Sequence, residues 1–223
     1  MPAAVLKTQF ESLLGGHFDW QSRPAPECVP SGVPALDAAT GGLPRGCLTE
    51  IFGPASSGRT SLLLSILAQA THREEVCALV DAEDAFDPAS ASAAGVHLDR
   101  LLWVRSNSAE HALKAVDLLI QGGGFGFVVL DLGDTPPATA RRISLTSWFR
   151  LRRAVENTPT VLISVARQSN AKTCASLQLE CVREHAIWSG ALHSSRLLRA
   201  ISARATSTQR SKTCSPVFTA TAI

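Results

Sequence analysis

Short apolar runs alternate with stretches of helical periodicity along most of this chain. LTEIFG (48–53), VCALVDAE (76–83), LLWVRS (101–106), FGFVVLDLGD (125–134) and TVLISVAR (160–167) read as strands. Between them, TSLLLSILAQATHRE (60–74) reads as a helix, and DPASASAAGV (87–96) as another with Pro88 near its start. In SAEHALKAVDLLIQGGG (108–124), Ser108 can cap a helix whose apolar face is Ala112, Ala115, Leu118 and Leu119. ATARRISLTSWFRLRRAVEN (138–157) reads as one helix with Ile143, Trp148, Leu151 and Val155 toward the core. SLQLECVREHAIW (176–188) and SRLLRAISAR (195–204) suggest a terminal pair of strands. The runs are continuously apolar rather than alternating. A strand of that kind is buried on both faces, so the pattern predicts an α/β fold with a mainly parallel sheet flanked by helices.

The ends are patterned differently. AAVLKTQFESLLG (3–15) carries Val5, Leu6, Phe10, Leu13 and Leu14 at helical spacing before Gly15 and Gly16. HFDWQSRPAPECVPSGVP (17–34) is proline-rich and reads as a linker or extended arm. The expected division is an N-terminal helix and linker over 1–30, a core over 31–202, and a weakly periodic basic tail, open to disorder, over 203–223.

Composition narrows this only a little. The chain has 223 residues, 45% of them hydrophobic, enough for one domain with a real core. A net charge of +2 neither demands nor excludes nucleic acid. The 6 cysteines show no C-x-x-C spacing and read as free thiols in a reducing compartment. Lys7 and Glu11 interrupt any signal-peptide core, and no apolar run approaches a membrane span. The expectation is a cytoplasmic protein.

IFGPASSGRTSLLL (51–64) carries the chemistry. Gly53 and Gly58 have phosphate-loop spacing, Thr60 supplies a hydroxyl for Mg²⁺, and the run sits between a strand and a helix. Arg59 stands where such loops carry lysine. Arginine keeps the charge but is planar and bulkier, so the change bears directly on phosphate geometry. Asp131 ends the run FVVLD and is placed to hold Mg²⁺. In DAED (81–84), Asp81 and Glu83 fall on one face by alternation, which makes Glu83 the candidate to orient an attacking water. The same acids also suit helix capping.

Four stretches in order, SGVPALDAATGGLPRG (31–46), EIFGPASSGRTSL (50–62), VDAEDAFDP (80–88) and FVVLD (127–131), together resemble the RecA recombinase family. The likeness runs from about residue 31 to 167. It implies a RecA-like P-loop NTPase core that binds ATP with Mg²⁺ and acts in DNA recombination, repair and the SOS response. By this resemblance Gly53, Pro54, Ala55, Ser56, Ser57, Gly58, Arg59, Thr60 and Ser61 form the ATP-phosphate loop. Glu83 matches the catalytic glutamate, Asp131 the metal-site aspartate, and Asp87 an aspartate that reads the adenine edge. The family's adenine-stacking tyrosine falls near Ser90, and this chain has no tyrosine. Its sensing glutamine falls at Arg167 or Gln168.

The stretches that match DNA-binding loops, LGDTPPATARR (132–142) and QSNAKTCASL (168–177), are short, and the chain ends soon after the core. These traits, with the W-S-G at 188–190, resemble the smaller ImuA-type relatives, which implies an accessory factor for an error-prone polymerase. Two readings therefore stand: a DNA-dependent ATPase, or a non-catalytic partner of RecA or a polymerase. Arg141, Arg142, Arg150, Arg152 and Arg153 on one expected helix suit single-stranded DNA, or equally a solvated face or subunit contact. The N-terminal helix could dock on a second copy in a homo-oligomer, or pack on its own domain.

Overall fold

The computed structural model describes residues 25–189, 197–209, 212–214 and 217–221. The helix expected over 3–15 lies outside them. The described chain opens with a short antiparallel pair, β1 (Cys28–Val29) and β2 (Leu43–Pro44), around α1 (Pro34–Thr40). Each apolar run then forms a strand: β3 (Cys47–Phe52), β4 (Cys77–Asp81), β5 (Leu101–Arg105), β6 (Phe127–Leu132) and β7 (Val161–Ala166). The intervening helices are α2 (Arg59–His72), α3 (Pro88–Ala93), α4 (Ala109–Gly122), α5 (Pro137–Ala140) and α6 (Leu145–Val155). After them come β8 (Leu177–Ser189), β9 (Leu197–Gln209), β10 (Lys212–Cys214) and β11 (Val217–Thr221).

The strands make one 9-stranded sheet in the order β10-β9-β8-β3-β7-β6-β4-β5, with β11 also on β9. From β8 to β5 every pairing is parallel; β9 turns back antiparallel along β8. The expected terminal pair of strands is therefore present. Within 203–223, β9 continues to Gln209, and β10 and β11 both pair with β9.

Alternation along each parallel strand sends neighbours into two cores. Leu79 and Val129 pack with Leu62, Leu63, Ile66 and Leu67 of α2 on one face. Val80 and Val128 pack with Val116 and Ile120 of α4 and Trp148, Leu151 and Val155 of α6 on the other. Ser108 caps α4 as expected, its side chain accepting from the His111 N–H. The face of α4 is turned from the expected one. Ala112, Leu113, Val116 and Ile120 are buried, Ala115 and Leu119 pack partly, and Leu118 is 69% exposed. A run of leucines at 118–119 fits two phases of a helix, and the i, i+4 series 112, 116, 120 decides between them.

The long helix expected over 138–157 is broken. After α5, the Arg142 and Ile143 N–H groups donate to the carbonyls three residues back, and Ser144 is extended, its hydroxyl accepting from the Ser147 N–H at 3.1 Å. A serine that can cap starts a new helix more cheaply than it continues an old one. Arg141 and Arg142 thus leave the helix that carries Arg150, Arg152 and Arg153. Ile143, Trp148, Leu151 and Val155 still face the core.

Candidate phosphate site

β3 delivers the chain into the loop 53–58, and α2 leaves it. Gly53 has φ +156° and donates its N–H to the Ala166 carbonyl at the end of β7. A Cβ here would lie 2.2 Å from the Cys181 carbonyl oxygen and 2.8 Å from Ser57 Oγ, so only glycine fits. Gly58 ends the loop at φ +91° as the N-cap of α2, without a side-chain cap bond or an acid in the first turn. The first N–H groups of a helix lack intrahelical acceptors, and here no side chain takes their place. Ser57 is 1% exposed and its hydroxyl has no partner. A buried, unpartnered hydroxyl beside a bare helix N-terminus is a cradle for an anion. Pro54, Ala55, Ser56 and Thr60 are exposed around it, and Ser61 is half-buried.

Arg59 does not point out of this cradle. Its residue is 8% exposed, and Nη1 donates to the Gly133 carbonyl oxygen at 3.3 Å, just beyond β6. Arg167 Nε donates to the same oxygen at 3.1 Å, and its Nη2 reaches Asp134 Oδ1 at 3.3 Å. Burial lowers the Arg59 pKa, while Asp131 and Asp134 oppose that and Arg167 adds to it.

Asp131 Oδ1 accepts the Gly133 N–H at 2.8 Å. Burial pushes its carboxyl up to about 6, against the pull of that N–H; Asp81 raises it further and Arg59 lowers it. The folded chain therefore holds this proton more tightly than the unfolded one. The group opposes folding little below about pH 4, and its cost grows to about 3 kcal/mol as pH rises through 6. Asp131→Asn should gain stability over the native chain at pH 7 and not at pH 4. Urea midpoints of both proteins at the two pH values check this, and an equal gap at both would remove the argument.

The other expected site residues are placed as follows. Asp81 is buried and accepts the N–H groups of Glu83, at 3.1 Å, and Phe86, at 2.8 Å, fixing the turn after β4. Glu83 is exposed. It lines an open cleft of about 600 Å³ with Asp84, Arg105, Asn107 and His111, at the carboxyl ends of β4 and β5. Asp87 caps α3, accepting from the Ala89 and Ser90 N–H groups and from Ser90 Oγ at 2.6 Å; that hydroxyl holds its carboxyl below the usual range. Arg167 and Gln168 divide the edge beyond β7 between them: Arg167 binds Gly133, and Gln168 Oε1 accepts from Arg141 Nε at 3.0 Å. The stretches 132–142 and 168–177 thereby meet. Arg141, Ser144, Ser169, Asn170 and Lys172 line a cleft of about 350 Å³ between them.

Glu50 escaped the sequence reading. It lies on β3, wholly buried. Its Oε1 accepts from the Asn170 and Ala171 N–H groups at 2.6 and 2.8 Å, and its Oε2 from Ser169 Oγ at 2.7 Å and Gln178 Nε2 at 3.0 Å. The available signal was an acid inside an apolar strand, which must find partners if it is buried.

The cradle fits the phosphates of a nucleotide. The neighbouring corner does not fit a divalent metal. One Asp131 oxygen is held by Gly133, and the fixed guanidinium of Arg59 lies against the same glycine. Asp131 and Asp134 already balance the guanidinium groups of Arg59 and Arg167, which leaves no carboxylate charge over for a further cation.

A parallel α/β sheet with a glycine-bounded loop between β3 and α2 defines a phosphate-loop protein. Within that class, the model of the RecA N-terminal domain matches residues 17–137. The RecA protein of Chloroflexus aurantiacus is 37% identical over 160 residues, covering 65% of this chain and 46% of the relative. That of Methylococcus capsulatus is 48% identical over 107 residues, 47% of this chain and 31% of the relative. That of Deinococcus radiodurans is 36% identical over 155 residues, 62% and 43%. The chain belongs to the RecA family. It spans less than half the length of these relatives.

Proposed function

We propose that this RecA-family chain binds ATP at Gly53–Ser61 and acts in DNA recombination or repair. The cradle carries the reading: Gly53 lets the loop turn tightly against β8, Ser57 offers an unpartnered buried hydroxyl, and α2 presents an uncapped N-terminus. Arg141 and Lys172 on the cleft between 132–142 and 168–177 suit the backbone of single-stranded DNA, with binding that weakens steeply as salt rises. Cytoplasmic location, a part in the SOS response and assembly with further copies belong to the same proposal. No helix among the described residues is long and apolar enough to cross a membrane.

A second reading, that of a non-catalytic factor serving RecA or an error-prone polymerase, is favoured by two observations. Arg59 is committed to Gly133, and Glu83 opens onto the cleft beside β5. Phosphate release from ATP, with and without single-stranded DNA, separates the two. DNA-stimulated turnover that Glu83→Gln abolishes while ATP affinity stays the same establishes the ATPase, with Glu83 orienting water. Retained ATP binding without turnover establishes the accessory reading. A folded chain that binds no ATP overturns the ATPase and the ATP site together.

A further inference from the structure

We infer that Arg59 is the site's own cation, and that this chain therefore takes nucleotide phosphates without a divalent metal. The inference rests on the phosphate-loop reading above. Gly133 joins the charged groups of this corner. Its N–H holds Asp131 Oδ1, and its carbonyl oxygen accepts from the guanidinium groups of Arg59 and Arg167. One residue thus gathers a carboxylate at its N–H and two cations at its carbonyl. A Cβ at this position would stand 2.9 Å from Asp131 Oδ1 and 3.3 Å from Arg59 Nη1, so a residue without a side chain is what lets both close in.

The positive charge placed here is permanent. Arginine stays protonated where a buried lysine can lose its proton, and its fork has five donors, of which Gly133 takes one. As the first residue of α2, Arg59 starts where the phosphate cradle ends and reaches across to the end of β6. It therefore lies between the start of α2 and the corner that holds Asp131. Asp131 and Asp134 supply the balancing charge, with Arg167 paired to Asp134. Lysine at 59 has a single terminal nitrogen and no fork, so it cannot serve Gly133 and a phosphate in the same way.

Equilibrium titration with a fluorescent ATP analogue, competed with ATP, tests this in excess Mg²⁺ and in excess EDTA. The native chain should bind within about threefold in the two buffers, and Arg59→Lys should lose about tenfold or more in EDTA. Thermal melting gives a second readout: ATP in EDTA should raise the melting temperature of the native chain and leave that of Arg59→Lys nearly unchanged. A native chain that loses about tenfold or more of its affinity in EDTA overturns the inference while leaving the phosphate loop intact. A folded native chain that binds nucleotide in neither buffer overturns the phosphate-loop reading and this inference together. The native comparison alone decides the matter if Arg59→Lys does not fold.

Discussion

Glu50→Ala should cost about 4 kcal/mol of stability, a large share of what a domain of this size has. The carboxylate is wholly buried and is the common acceptor for Ser169, Asn170, Ala171 and Gln178. Alanine removes all of these bonds and leaves the Asn170 and Ala171 N–H groups, both in buried bonds, without an acceptor. Each such orphan costs roughly 1–3 kcal/mol, and the lost side-chain volume adds to it. Glu50→Gln separates acceptor from charge. It keeps one oxygen but turns an NH₂ toward donors, so it should lose about half as much. Urea denaturation followed by circular dichroism reads both. A loss under about 1 kcal/mol for alanine would mean that the segment 169–178 finds other acceptors.

Gly53→Ala should be nearly as severe, and it strikes the site directly. The new methyl would stand 2.2 Å from a main-chain carbonyl of β8, which no side-chain rotation can relieve. Either β8 moves away from β3 or the loop tilts, and the φ of +156° is itself one that side chains rarely adopt. A stability loss of about 2–4 kcal/mol is expected. ATP binding should fall by about tenfold or more, because the loop backbone shifts against the phosphates it would cradle. Gly122→Ala is the control: a Cβ at the end of α4 meets nothing within 4 Å, and alanine is the better helix former. Melting curves and ATP titration of both variants check the pair. Equal behaviour of the two would show that the crowding at Gly53 is easily relieved.

The fold was legible because the strands are apolar runs. VVLD and LISVA cannot face water on either side, and that alone calls for a parallel sheet covered by helices. Segments where the apolar signal is degenerate were harder to place. The leucines at 118–119 fitted two helical phases, and Ser144 was one polar residue within a plausible helix until its cap geometry split that helix. Over 203–223 the described strands β10 and β11 are short and pair with β9, so little of their stability is written in their own periodicity. In the site, the spacing of Gly53 and Gly58 was readable as a loop entering a helix. The direction of Arg59 was not, because it depends on Gly133, which is distant in sequence and brought near only by the order of the strands. The partners of Glu50 were unreadable for the same reason, since they lie across the fold.

That strand order also bears on how the chain comes to be folded. β3 lies between β7 and β8, its Cys47 level with Val161 and its Thr49 with Leu177. Both neighbours are made roughly a hundred residues or more after it. At about 5–20 residues per second of synthesis, β3 waits on the order of ten seconds for its first partner. Through that interval Leu48 and Ile51, wholly buried in the finished protein, have no sheet to enter. The strand that feeds the phosphate loop is thus among the first of the sheet to be made and among the last to be enclosed. A chain arrested before residue 160 would carry the loop sequence without the strand that sets its shape.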